Sequence, residues 1–303
     1  MSLPSALALR IRELGATLDP AALSAVQELF MPLHQTEPYP GLRIARDVPY
    51  GANERQRLDL FTPEETSAQA PVLVFVHGGG YVAGNKRHPG LPYHDNIALW
   101  AVKHGLVAAN ITYRLAPAHR WPAAADDVGL AIRWLRENIR AHGGDPDRIY
   151  IFGTSAGAAH VASWLALAEQ GDASGVAGAI LLSGFYDLEA GPLSPNVRAY
   201  FGEDSALYRQ RSSLHGLVGA GVPLLVGLAE FDPPPLQRQA ILLVDAFQQQ
   251  HGRWPEVVVR LATHNHFSGT ASLNAVVGDL DRELLRFMRL DETEAPAISP
   301  RAG

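Results

Sequence analysis

Six short, largely apolar runs recur between stretches of helical period, and this alternation constrains the fold more than any other feature of the chain. Residues 72–76 (VLVFV) are continuously apolar, as a strand covered on both faces must be. Further strands are expected at 106–111, 148–152, 177–182, 222–228 and 257–261. Helices are expected at 93–104, 123–141, 156–169, 236–251 and 272–289. Strands separated by helices of this length build βαβ units, and therefore a mostly parallel sheet with helices on both faces. Residues 57–61 (RLDLF) alternate polar and apolar, as an antiparallel edge strand would. The first forty residues read as helical, with Leu7, Ile11 and Leu14 on one face. Asp19 is expected to cap a second helix that has Pro20 at its first position. The three prolines of residues 32–41 mark a linker. Residues 187–219 break the alternation, and residues 291–303 are polar and read as a flexible tail.

Composition removes several function classes. Lys plus Arg number 25 and Asp plus Glu 31, a net charge of −6, which disfavours nucleic-acid binding and electrostatic docking on anionic membranes. With 47% hydrophobic and 18% charged residues the chain can bury a sizeable core. It has no Cys, which excludes disulfides, thiolate metal sites and cysteine nucleophiles, and fits a reducing compartment such as the cytoplasm. The start lacks a basic stretch ahead of its apolar residues, so no signal peptide is expected. The long uncharged windows 149–168 and 212–229 are interrupted by Gly, Ser, His or Pro, so no membrane span is expected.

Two motifs carry chemistry. Gly153-Thr154-Ser155-Ala156-Gly157 is a G-x-S-x-G lying after a predicted strand and before a predicted helix. A serine at such a turn points its hydroxyl away from the sheet, with helix N–H groups beside it. An ordinary turn serine is the plain alternative. His77-Gly78-Gly79-Gly80-Tyr81 follows VLVFV directly and leaves backbone N–H groups free to approach a developing oxyanion. A nucleotide-binding loop fails here, because the glycine or lysine it needs is Ala83 or Asn85.

A serine nucleophile needs a base, and the base needs an orienting acid. His264 and His266 follow the last predicted strand, and His266 is favoured because Phe267 can pack beside it. A His-x-His metal site lacks a third ligand nearby in sequence. After the strand at 222–228 stand Glu230 and Asp232. Asp232 is favoured, being further from the strand end and followed by prolines. Asp126 and Asp127 are assigned as N-terminal helix charges, and His160 and His251 as structural helix residues.

Together HGGGY (77–81), YRLAPAHRWPAA (113–124), GGDPDRIYIFGTSAG (143–157), AEFDPP (229–234) and NHFS (265–268) resemble the α/β-hydrolase superfamily, and within it the hormone-sensitive-lipase-like (type IV) carboxylesterases. The resemblance implies a mostly parallel sheet of about eight strands with helices on both faces and a small helical cap. The cap would combine residues 1–40 with the insert at 187–219, and the catalytic domain would run over 41–290. It implies Ser155 as nucleophile, Asp232 as acid, His266 as base, and an oxyanion hole from the backbone of Gly79, Gly80 and Ala156. His77 would tether the glycine loop. The expected activity is hydrolysis of small-molecule carboxylic esters with short acyl chains, without metal or other cofactor. Tyr81, Trp121 and Phe267 are candidates to line the substrate pocket, with plain core packing as the alternative for each.

The His-Phe-Ser ending is similar to a neighbouring branch that includes kynurenine formamidase and feruloyl-esterase-like proteins. An arylformamidase is therefore one rival activity, although Gly80 and Tyr81 stand where that branch usually has Trp. A hydrolase fold that has lost catalysis and only binds is the other. A homodimer is an admissible assembly that the sequence does not select.

Overall fold

The computed structural model describes residues 3–64, 69–168, 173–275 and 278–290; the expected tail at 291–303 lies outside them. Eight strands form one sheet: β1 Leu42–Pro49, β2 Arg57–Pro63, β3 Ala70–Val76, β4 Val107–Ile111, β5 Gly144–Thr154, β6 Val176–Leu182, β7 Leu224–Phe231 and β8 Val257–Asn265. Their order is β1-β2-β4-β3-β5-β6-β7-β8. The pairs β1–β2 and β2–β4 are antiparallel, and every later pair is parallel.

The continuous apolar runs are explained by the two faces they serve. Val72, Val74 and Val76 enter one core while Leu73 and Phe75 enter the other. Ile149 and Ile151 are divided in the same way from Tyr150 and Phe152, as are Ala179 and Leu181 from Ile180 and Leu182. The first core lies under α4 Ala123–Asn138, α5 Ala156–Leu167, α8 Leu214–Gly219 and α9 Pro234–His251. The second lies under α3 Asp95–Lys103 and α11 Asp279–Phe287. A third, smaller cluster joins α1 Ser5–Leu14 and α2 Pro20–Phe30 to Tyr93 and Ala271 through Leu3, Ile11, Val26 and Phe30. His34 Nε2 ties the end of this N-terminal segment to the Ala271 carbonyl at 2.7 Å.

Several expectations change. The strand at 57–61 is antiparallel but not the edge. β1 lies outside it, with half-exposed and exposed positions along LRIARDVP. Residues 187–219 are helical after all, containing α6 Pro195–Phe201, α7 Tyr208–Arg211 and α8. The helix expected at 272–289 is the shorter α11, and a separate short helix, α10 Ser268–Ser272, precedes it. Asp19 precedes α2 without a side-chain cap bond, since its carboxylate accepts from the Thr17 hydroxyl. Among the described residues no helix is long and apolar enough to cross a membrane.

A charged network braces the antiparallel side. Arg46 donates to Asp59 at 2.9 Å and to Asp95 at 2.6 Å, and also pairs with Glu37. Buried Lys86 reaches Asp47 at 2.5 Å and Asp59 at 3.2 Å. The network links β1, β2, α3 and the segment that follows the glycine loop. Asp59 is fully buried, and Asp59→Ala would remove one acceptor from each cation and leave the Asp47 amide, which donates to it at 2.8 Å, without a partner. We expect it to cost about 1–3 kcal/mol of unfolding free energy in urea titration.

Candidate active site

The parallel sheet brings the predicted residues to one end. β3, β5, β7 and β8 deliver His77, Ser155, Asp232 and His266 beyond their carboxyl ends, where open α/β sheets place ligands. Ser155 sits at φ 54°, ψ −122°, between β5 and α5, and its amide donates to the Leu182 carbonyl at 2.8 Å. A left-handed φ is costly for a serine and is held here by the strand and helix on either side. Gly157 permits the turn. A Cβ there would stand 2.1 Å from the Val76 carbonyl oxygen, so α5 could not pack against the end of β3.

His266 Nε2 lies 2.9 Å from Ser155 Oγ, and its Nδ1 lies 2.7 Å from Asp232 Oδ1. A carboxylate only accepts, so Nδ1 carries the proton and Nε2 is left to accept from the serine hydroxyl. Asp232 is fully buried. Its other oxygen accepts from the Ser183 hydroxyl at 2.6 Å and the Ala229 amide at 2.7 Å. Ser155 itself is half-buried and so remains reachable.

The competitors for base and acid are engaged elsewhere. His264 is on β8 rather than in a loop, and its Nδ1 shares a 2.9 Å hydrogen bond with Ser268 Oγ. Burial pushes its pKa down to about 4. The two imidazoles of the His-x-His pair therefore serve different partners. Glu230 accepts from the Thr263 amide at 2.7 Å and pairs with Arg260 at 3.4 Å. The Thr263 amide, then Arg260, lowers its pKa. Asn265, between the histidines, accepts from the amides of Phe267 and Ser268 and starts α10.

The glycine loop lies against the serine. A Cβ on Gly78 would stand 3.1 Å from Ser155 Cβ. Gly79 has φ 126°, and a Cβ there would fall 2.1 Å from the Ala83 carbonyl oxygen, so no other residue fits. His77 Nδ1 donates to the Gly78 carbonyl at 2.6 Å, and its ring stacks on Tyr113 at 4.4 Å. Tyr113 Oη donates to the His77 carbonyl at 2.7 Å. The loop is thus held from both sides. Among the described residues no acceptor takes the amides of Gly79, Gly80 or Ala156.

The aromatic candidates are less uniform. Tyr81 is buried, stacked on Tyr200 at 5.2 Å and edge-on to His160 and Phe201. These contacts pack Tyr81 of the glycine loop against α5 and α6. Trp121 is half-buried under the Arg211 guanidinium, 5.6 Å from its ring, and its amide donates to the Tyr200 carbonyl. Phe267 meets His266 edge-on at 5.4 Å and packs against the N-terminal helices. Asp127 is not a solvated helix charge. It is fully buried and accepts from the Arg114 guanidinium at 2.7 Å, the Arg114 amide at 2.8 Å and Gln56 at 2.7 Å.

Comparison with solved structures gives the same architecture. A hyperthermophilic esterase from the archaeon Pyrobaculum calidifontis superposes with a TM-score of 0.69 at 23% identity, covering 96% of this chain and 99% of that one. The thermophilic carboxylesterase EstE1 from a metagenomic library gives 0.66 at 22%, covering 91% and 97%. The chain has the α/β-hydrolase fold. Within it, residues 58–186 match the family model described as BD-FAE. Esterase LipQ of Mycobacterium tuberculosis is 40% identical over 124 residues, which are 40% of this chain and 28% of that protein. Carboxylesterase NlhH of the same species is 40% identical over 120 residues, 39% of this chain and 36% of that protein. The alignments thus span about a third of the length of these curated relatives.

The α/β-hydrolase core also holds a set of neutral imidazoles. Burial lowers the pKa of His94 and His264 to about 4, of His160 to about 3, and of His77 well below 6.5. The unfolded chain therefore binds more protons below pH 6.5. Stability is fully present above that pH and falls on acidification toward pH 4. We expect the slope to decrease by about 1.4 kcal/mol per pH unit when one such group is removed, for example in His160→Phe. Urea titrations of both proteins between pH 4.5 and 6, chosen as about the middle of that window, would measure it.

Proposed function

We propose that the chain is a serine carboxylesterase acting through Ser155, His266 and Asp232. Ser155 Oγ attacks the ester carbonyl while His266 Nε2 takes its proton. Asp232 holds the proton on Nδ1 and balances the imidazolium that forms. The amides of Gly79, Gly80 and Ala156 receive the oxyanion, assisted by the positive end of α5. Collapse of the tetrahedral intermediate expels the alcohol with the proton from His266. Water, activated by the same imidazole, then releases the acid from the acyl-enzyme.

One observation carries this assignment: the unbroken relay Ser155 Oγ to His266 Nε2 at 2.9 Å and His266 Nδ1 to Asp232 Oδ1 at 2.7 Å. The esterase names of the relatives support the substrate class. We take α1, α2 and the segment carrying α6 to α8 as the cap. Its aromatic residues Tyr200 and Phe201 close on Tyr81, which favours short acyl groups.

Ser155→Ala and His266→Ala should each lower kcat for p-nitrophenyl acetate by on the order of 10⁴–10⁶, and combining them should add little. His264→Ala should cost far less. Turnover retained in Ser155→Ala, or a larger loss in His264→Ala than in His266→Ala, would overturn the assignment. In an acyl-chain series, kcat/KM should be higher for p-nitrophenyl butyrate than for the decanoate. The opposite order would refute the short-chain preference alone.

A further inference from the structure

Ser183 follows β6 and is buried at 1% exposure. It is not glycine, yet its φ is 53°. A left-handed serine in the interior is a strained choice when glycine would occupy the same backbone freely. Its amide donates to the Gly227 carbonyl at 2.8 Å, so the backbone is fixed between β6 and β7. The hydroxyl is spent on one partner, Asp232 Oδ2, at 2.6 Å.

Asp232 itself hangs from a short turn at the end of β7. Its amide donates to the Ala229 carbonyl at 3.1 Å and its Oδ2 accepts from the Ala229 amide at 2.7 Å. The Ala229 bond holds the carboxylate from its own strand only. The Ser183 bond comes from the neighbouring strand and fixes the plane in which Oδ1 faces His266 Nδ1. A short bond to a charged acceptor is also stronger than a neutral one.

We propose that Ser183 is a positioning residue for the esterase reaction: it orients the Asp232 carboxylate, and through it the His266 ring, and its backbone strain is retained for that purpose. This rests on the serine-esterase assignment of Ser155, His266 and Asp232. The residue touches no substrate and acts only through Asp232.

Ser183→Ala and Ser183→Gly separate this role from a purely structural one. Both remove the hydroxyl, but only glycine relieves the left-handed strain. Steady-state kinetics on p-nitrophenyl acetate, the rate of labelling by a fluorophosphonate, and Tm are measured for both variants, the parent and Ser155→Ala. The two variants should lose kcat alike, by about 10- to 100-fold, with KM nearly unchanged and labelling slowed in parallel. Tm should be higher in Ser183→Gly than in Ser183→Ala. A kcat within about twofold of the parent in either variant, or losses that follow Tm rather than the hydroxyl, would overturn the proposal. Activity retained in Ser155→Ala would instead overturn the esterase assignment on which it rests.

Discussion

A single hydrogen bond, from Ser155 to His266 across 111 positions of sequence, is the contact on which the rest of the site depends. Neither residue can reach the other unless β5 and β8 lie in one parallel sheet with β6 and β7 between them. Parallel pairing puts every carboxyl end on the same side, so four separate loops converge there. The continuous apolar strands that build this sheet are therefore also what assembles the relay. Their burial on two faces holds the geometry rigid while the loops carry the polar groups.

Around that contact the polar groups are tied down in layers. Asp232 is saturated by Ser183, Ala229 and His266. The loop holding His266 is knotted by Asn265 and Ser268, and the glycine loop by His77 and Tyr113. Further out, Asp127 clamps Arg114, and Asp59 gathers Arg46 and Lys86. Buried carboxylates in such numbers are tolerable only because each is matched by donors. His160 is different. Among the described residues its ring nitrogens have no hydrogen-bond partner, and its ring meets Tyr81, Tyr113 and Tyr200 edge-on. Burial among aromatic rings keeps it neutral and makes it a wedge between α5, the glycine loop and α6.

Much of the fold was legible in the chain. The strand core from β3 onward could be read because doubly buried strands are apolar throughout, and the helices between them keep their period. The outer strand β1 was missed, since LRIARDVP mixes charges with half-buried positions and has no clean alternation. The insert at 187–219 was read as irregular because helices of four to seven residues are too short to show a period. At the site, the G-x-S-x-G and triple-glycine motifs were readable because their neighbours fixed their context. Ser183 carried no comparable signal, and its φ and its aim at Asp232 exist only once β6 and β7 are paired.

Sequence by itself determined that the chain would build a parallel α/β sheet, and that a serine turn and a glycine loop would stand at strand ends. Local periodicity and glycine stereochemistry suffice for both. Between His264 and His266, and between Glu230 and Asp232, the chain could only express a preference. The tertiary structure separates the members of each pair: His266 and Asp232 join Ser155, while His264 is engaged by Ser268 and Glu230 by the Thr263 amide and Arg260. Which polar atom is free to react depends on what every other polar atom has already bonded, and that is settled only when the strands pack.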